Sequence, residues 1–337
     1  MIGAFPLFGT AVVMLVVLPL VALAAKGALV LLERDQLAGP LHGLRLRYVV
    51  LIMSSVLPLA WAFSSGLHQA ETGRAHCLLD RNQLEGCIEP ELFAVALTIA
   101  VLLLSLRVVR ERRDIRESRS IEAKLLAARL ERLASRSELV GLRGRLFATD
   151  AGDFALGTHG LWRPRVFVGV GFARTVSDEM LASGLGHELE HVRGSDPLRY
   201  FLLQLSLAVN PLGRMLLGGH AARWQVAREA HCDREAVLGG AGPLSLADAI
   251  VRAARPGHRA DAVALGTHNT GALKLRISLL LAFSERQPVR CCEPGLSAVA
   301  PALLVFVVVL FLPHVVSNYA LDVLHQSAER ALTHFWS

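Results

Sequence analysis

Four stretches of the chain are apolar almost without a break, at 4–25, 48–63, 92–106 and 296–316, and between the third and fourth the pattern turns mixed and periodic. A helix crosses a bilayer with about 20 apolar residues. The first and last runs reach that length unaided. The second and third reach it with their neighbours 64–67 and 107–109, Arg107 stretching its stem toward the headgroups. The pattern therefore predicts four transmembrane helices. Lys26 follows the first run instead of preceding it, the reverse of a secretory signal, so this run is expected to be retained.

Between the spans, 108–295 is long enough for one compact domain. Leucines and alanines at 125, 126, 130 and 133 form an apolar stripe on a charged helix over 114–136, facing either the membrane or the domain itself. Two short strands follow, "RLFATD" at 145–150 and "VFVGVG" at 166–171, joined by a Gly-rich connection that includes "GTHGLWRPR". Ser177 is the expected N-cap of a helix reaching about Arg193, with Asp178 and Glu179 in its first turn. The apolar segment 200–219 is broken by Asn210, Pro211 and Arg214; it reads either as a core helical hairpin or as one dipping into the membrane edge. Three further helices carry "WQVAREAHCDREAVL", "LADAIVRAA" and "ALKLRISLLLAF". The organisation expected is a membrane region with three spans over 1–107, a folded domain over 108–295, a fourth span over 296–318 and a short tail over 319–337.

Composition agrees with a membrane protein: 53% of the 337 residues are hydrophobic and the mean hydropathy is +0.44. The net charge of +6 would suit nucleic acid, yet the basic residues cluster at span ends and no aromatic-interleaved basic motif accompanies them. Nucleic-acid binding is not expected. Lys26, Arg34, Arg45 and Arg47 mark the first loop as cytoplasmic, as does "RVVRERRDIRESR" after the third span. The loop 64–90 is acidic by comparison, so both termini are expected outside a bacterial inner membrane and the domain inside. Cys77 and Cys87 would face the oxidising side, where they form a disulfide or remain two free thiols; Cys232, Cys291 and Cys292 would stay reduced.

The chemistry concentrates in "GLGHELEHVRGSD", 184–196. His187 and His191 lie four apart on one helix, so their rings sit roughly 40° apart around the axis and can reach one metal ion. Glu188 can then take a proton from water at the open coordination position, which is the physical content of H-E-x-x-H. A solvated histidine pair is the bland alternative. Glu229, 38 residues beyond His191 on another helix, would complete a two-His, one-Glu ligand set, and Asp233 one turn further could accept the outer N–H of a ligating ring. Cys232 is either a competing ligand or a small packed residue. His220 and His231 are candidates to steady a developing oxyanion, or simply surface histidines.

The segments "LWRPRVFV", "HELEHVRGSDPLRY", "NPL", "AREAHCDREAV" and "LKLRI" together resemble the integral-membrane zinc peptidases of the BlaR/MecR type, over about 1–318. The resemblance implies a mainly α membrane protein with a cytoplasmic gluzincin-like α+β peptidase domain and a small edge sheet. It implies Zn2+ on His187, His191 and Glu229, Glu188 as general base, Asp233 as a supporting carboxylate, and Asp196 at a recurrent acidic position of underived role. The sensors of that type continue into a penicillin-binding domain after the last span; here about 19 residues follow, so antibiotic sensing is not carried over. The function expected is membrane-embedded cleavage of a cytoplasmic protein, either a winged-helix repressor or the chain itself. A peptide substrate would add as a strand along "VFVGV". Two rivals stand beside this: a quality-control zinc protease of the HtpX type, and a membrane receptor or scaffold whose zinc is only structural.

Overall fold

The computed structural model describes residues 13–34, 43–72, 98–106, 118, 120–151, 154–254 and 270–285. The fourth apolar run, Cys77, Cys87, Cys291 and Cys292 lie outside these residues. Among them the chain is mostly helical, with one three-stranded sheet.

Helix α1 spans Leu18–Arg34, entered through a π-helical turn at Val13–Val17, and α2 spans Leu44–Thr72 with Pro58 inside it. Met14–Glu33 is long and apolar enough to cross a membrane, the one such helix among the described residues; it overlaps the first apolar run only over 14–25 and continues through Lys26, so the helix ends later than expected and the loop is shorter at its start. Ala22, Ala25, Ala28, Leu29 and Leu32 recur at helical spacing and pack against Val50, Leu51 and Ile52 of α2. Residues 98–106, in the third run, are helical.

The folded domain begins with α3, Ile121–Ala134, capped by the Ser120 hydroxyl, which accepts from Ala123 N–H at 3.0 Å. Leu126, Leu130 and Leu133 of the predicted stripe enter the domain core, while Leu125 is 68% exposed. The helix therefore packs on its own domain. Strands β1 (Leu146–Thr149), β2 (Leu156–His159) and β3 (Arg165–Gly169) pair in the order β1-β3-β2. β3 runs parallel to β1 and antiparallel to β2, with Thr158 opposite Val166.

Two expectations are corrected here. "GTHG" is not merely a connection, because its first three residues belong to a strand; glycine and short polar residues carry weak strand propensity, and the hydrogen bonds of β3 supply the pairing. The "VFVGV" segment is central in the sheet and paired on both sides, so an added peptide strand would have to join β1 or β2 instead. The chain also turns helical sooner than expected, at α4, Val170–Thr175.

Helix α5, Asp178–Gly194, starts at Ser177 as anticipated, the hydroxyl accepting from Met180 N–H at 3.3 Å. It carries the histidine motif. The apolar segment after it forms a helical hairpin, α6 (Asp196–Val209) and α7 (Gly213–Leu238), turning at Asn210, Pro211 and Leu212. The hairpin lies along α1 and α2. Asn210 at its tip donates to Leu18 C=O at 2.9 Å, and Ser55 donates to Ser206 C=O at 2.8 Å. Toward the other end Trp224 donates to Leu44 C=O at 3.0 Å, and His220 and Arg223 reach Glu33 at 3.1 and 2.9 Å. Helices α8 (Pro243–Ala253) and α9 (Thr270–Ser284) close the domain against α7.

Candidate metal centre

Helices α5 and α7 pack against each other, and each offers polar groups one turn apart: His187 and His191 on α5, Glu229 and Asp233 on α7. Three donor atoms converge. The two Nε2 atoms are 3.0 Å apart, and the Glu229 carboxylate lies 3.4 Å from each, Oε2 toward His187 and Oε1 toward His191. Metal–donor bonds of about 2.0–2.2 Å in tetrahedral geometry put ligand atoms about 3.3–3.6 Å apart. Both carboxylate distances fall in that range and the two Nε2 atoms stand about 0.3 Å inside it, so a small opening of the pair would seat an ion of that size; among the described residues this group closes at three ligands.

Each ring is steered from behind. Asp196 Oδ2 lies 2.7 Å from His191 Nδ1 in a hydrogen bond, and Asp233 Oδ1 lies 2.8 Å from His187 Nδ1 at an angle outside hydrogen-bond geometry, as a close charge contact. A carboxylate on Nδ1 fixes the tautomer and leaves Nε2 free as a donor. Asp196 gets there through backbone geometry: α5 stops at Gly194, and Ser195 takes the left-handed conformation (φ +52°), turning the chain so that Asp196 comes back toward the helix it has just left. Gly194 leaves room beside it for Arg228: a Cβ there would lie 2.2 Å from Arg228 Nη2 and would displace that guanidinium. That arginine donates through Nε to Asp196 at 2.7 Å and through Nη2 to Glu190 C=O at 3.0 Å, capping the end of the motif helix.

A second charge clamp comes from α9. Arg276 donates twice to Asp233, at 2.7 and 2.8 Å, and lies 3.1 Å from Glu229 Oε2. The Tyr200 hydroxyl of α6 completes the support, donating to Glu229 Oε1 at 3.2 Å. Burial opposes ionisation of Glu229, but the charges of His191 and Arg276 outweigh it and hold the carboxyl well below the usual range. Glu229 is therefore an anion ready to bind a cation. Burial also pushes the Tyr200 phenol well up, so it stays a neutral donor.

Glu188 is buried beside this trio in sequence and is held separately: its Oε2 accepts from Thr158 Oγ1 of β2 at 2.6 Å. The same hydroxyl lies 3.4 Å from Glu188 C=O, so Thr158 ties the edge strand to the motif helix.

Cys232 is fully buried, 3.7 Å from His191 Nδ1 and 3.8 Å from Asp196 Oδ2, a second grouping that could in principle take a metal. Burial pushes its thiol up to about 11, and Arg228 already occupies the Asp196 oxygen, so this grouping presents a neutral thiol and a paired carboxylate. The His187, His191, Glu229 trio is the better cation site.

His220 and His231 share no hydrogen bond or ion pair with the trio among the described residues. His220 is buried against Glu33 and Arg223, and His231 faces Glu235 from the other side of α7, two residues and roughly 200° round from Glu229. Their contacts give an oxyanion role no support.

Thr158, Tyr200, Arg228 and Arg276 were not legible as site residues. All four stood inside quoted segments, "GTHGLWRPR", "HELEHVRGSDPLRY", "AREAHCDREAV" and "LKLRI", but nothing in an isolated hydroxyl or arginine says which carboxylate it will meet.

Asp196→Asn keeps the size of the side chain but removes the charge that holds His191 Nδ1. Metal affinity is expected to fall by about 10–100-fold. Competition against a chromophoric chelator measures this; an unchanged affinity would show that His191 needs no such partner.

The fold and site together define a mostly helical protein with a small sheet, one helix able to cross a membrane by length and composition, and a buried His/Glu group able to hold a metal ion. No family model, curated protein or solved structure matches the chain.

Proposed function

We propose that this protein is a zinc-dependent endopeptidase whose site lies beside a membrane-embedded helical core, and that it cleaves a polypeptide on the cytoplasmic side. The observation that carries the reading is the three-donor group on α5 and α7 with a fourth position left for a reactant, next to a buried glutamate that ligates nothing. Structural zinc sites are usually closed by four protein ligands. That favours catalysis over a scaffold role.

Zinc suits the imidazole and carboxylate donors, and when bound it would supply Lewis acidity toward a carbonyl oxygen and toward water at neutral pH. The remaining work falls to the chain. Glu188 accepts a proton as water adds to the peptide carbonyl carbon, then returns it to the departing nitrogen as the C–N bond breaks. Thr158 holds the Glu188 carboxylate in place. It also ties the base to β2, whose free edge would hold an extended substrate.

The membrane reading draws support from α1. Leu20 and Leu23 are each 54% exposed on the face away from α2, and Leu102, Leu103 and Leu106 are exposed on 98–106, apolar surface that a bilayer would cover. With α1 in the membrane, the tip of the α6–α7 hairpin beside Leu18 would sit deep in the same layer. Four spans, an inner-membrane location with both termini outside, the Cys77–Cys87 bridge and a repressor as substrate complete the proposal.

Full-length protein purified in detergent should cleave a denatured protein substrate, lose that activity to a zinc chelator and regain it with added zinc. Activity indifferent to chelation would overturn the reading.

A further inference from the structure

A solvent-open cavity of about 470 Å³ lies between the loop that follows β2 and the C-terminal end of α5. Arg145, Trp162, Arg163 and Arg165 line it together with Val192 and Ser195. Trp162 is 83% exposed, so most of its ring is accessible to a ligand in the cavity.

The charged side chains that line this cavity are all of one sign. Elsewhere in the domain pairing varies: Arg132, Arg143 and Arg214 share no ion pair among the described residues, whereas Arg129, Arg174, Arg193, Arg228, Arg234 and Arg276 each lie against a carboxylate. Among the described residues, Arg145, Arg163 and Arg165 have none, and no acidic residue lines the cavity. Arg165 is instead steadied over the Phe147 ring, 5.1 Å from its centroid, which orders the side chain and leaves its charge uncompensated. Of the carbonyls near the end of α5, those of Glu190, His191 and Val192 are taken up by Arg228 and by Ser195 N–H.

The edge strand β2 leads directly into the loop that lines the cavity. His159, the last residue of β2, pairs with Arg165, and Gly160 (φ +113°) then turns the chain into the loop carrying Trp162 and Arg163. A Cβ at Gly160 would lie 2.6 Å from Arg163 C=O, so the loop depends on that glycine. Thr158, the partner of Glu188, is four residues before Trp162. An extended chain along β2 passes from the reacting position to the arginines within a few residues.

We infer that this cavity is a specificity subsite for an acidic segment of the polypeptide substrate, its carboxylates meeting Arg145, Arg163 and Arg165 and its backbone or apolar neighbours covering Trp162. This rests on the peptidase reading and adds the substrate class. Guanidinium groups suit carboxylates through paired N–H donors, and Arg165, already held over Phe147, loses little freedom on binding.

The test uses full-length Glu188→Gln protein in phosphatidylcholine nanodiscs, so that binding is read without cleavage. The probes are three fluorescein-labelled peptides that differ only in a run of four Glu, four Gln or four Lys. The Glu peptide is expected to bind on the order of tenfold tighter than the Gln peptide, with the margin shrinking as salt rises. Arg145→Glu with Arg163→Glu, both exposed and so not needed for folding, should erase that margin and favour the Lys peptide. Equal binding of all three peptides, or a preference that survives the reversal, overturns the subsite. So does a preference for phosphatidylglycerol over phosphatidylcholine vesicles that the reversal removes while the peptide preference stays, which would make the arginines a lipid contact. Cleavage is read separately in the unsubstituted protein. An acidic preference in a protein that cleaves nothing supports the subsite and overturns the peptidase, whereas cleavage without the preference overturns only the subsite.

Discussion

Glu188→Gln is expected to abolish peptide-bond cleavage, by about 10²–10⁴-fold, while metal content stays at the wild-type level. The reason lies in how the site is divided. Glu188 is not among the three converging donors; its carboxylate is held by Thr158 from the edge strand, and glutamine can accept the same hydrogen bond through its amide oxygen. Shape, burial and metal ligation are therefore preserved, and only the ability to take and return a proton is lost. Metal analysis and a cleavage assay on the same preparation measure both halves. A Gln variant of full activity would remove Glu188 from the chemistry, and one stripped of metal would show that Glu188 shapes the ligand set.

Arg276→Met should be the most destabilising single change at the site, by about 3–5 kcal/mol. Arg276 is 6% exposed and makes two hydrogen bonds to Asp233, itself 2% exposed, with Glu229 Oε2 3.1 Å from its guanidinium. Removing it leaves two buried carboxylates facing each other across the histidines with one cation fewer. Asp233 then loses the charge that outweighs its burial, and its carboxyl should rise toward or above its ordinary range. Bound zinc would offset part of this by restoring positive charge. The loss is thus expected to be larger in chelator-treated protein than in zinc-loaded protein, and thermal unfolding with and without chelator reads the difference. Equal and small losses in both states would mean that the Asp233–Arg276 pair contributes little.

The histidine motif and its two distant acids could be read from the chain because helix periodicity does the geometric work. Positions 187 and 191, and positions 229 and 233, fall on one face whatever the rest of the fold does. The helix start at Ser177 was legible for the same local reason, a hydroxyl before a run of helix formers. A membrane-length apolar helix near the start of the chain was legible too, since hydropathy and length are properties of the segment alone, although its extent, Met14–Glu33, lies further along than the run 4–25.

Other features depended on contacts that no local pattern encodes. Strand β2 has a sequence poor in strand formers and exists because β3 lies beside it, so the edge position moved from "VFVGV" to residues 156–159. Asp196 was recognisable only as a recurring acid. Its hold on His191 needs the left-handed turn at Ser195 and the approach of Arg228 over Gly194, a clamp assembled by the packing of α5, α6 and α7. His220 was read as a possible part of the chemistry, yet the hairpin carries it to the end of α1, where Glu33 and Arg223 take it up. The choice of partner for a charged side chain is made by distance and burial across elements, and those are set only when the helices pack. The sequence could therefore say which residues form the face of a metal site, and the tertiary structure decided which carboxylate steadies each ring, which residue holds the base and where a substrate strand could lie.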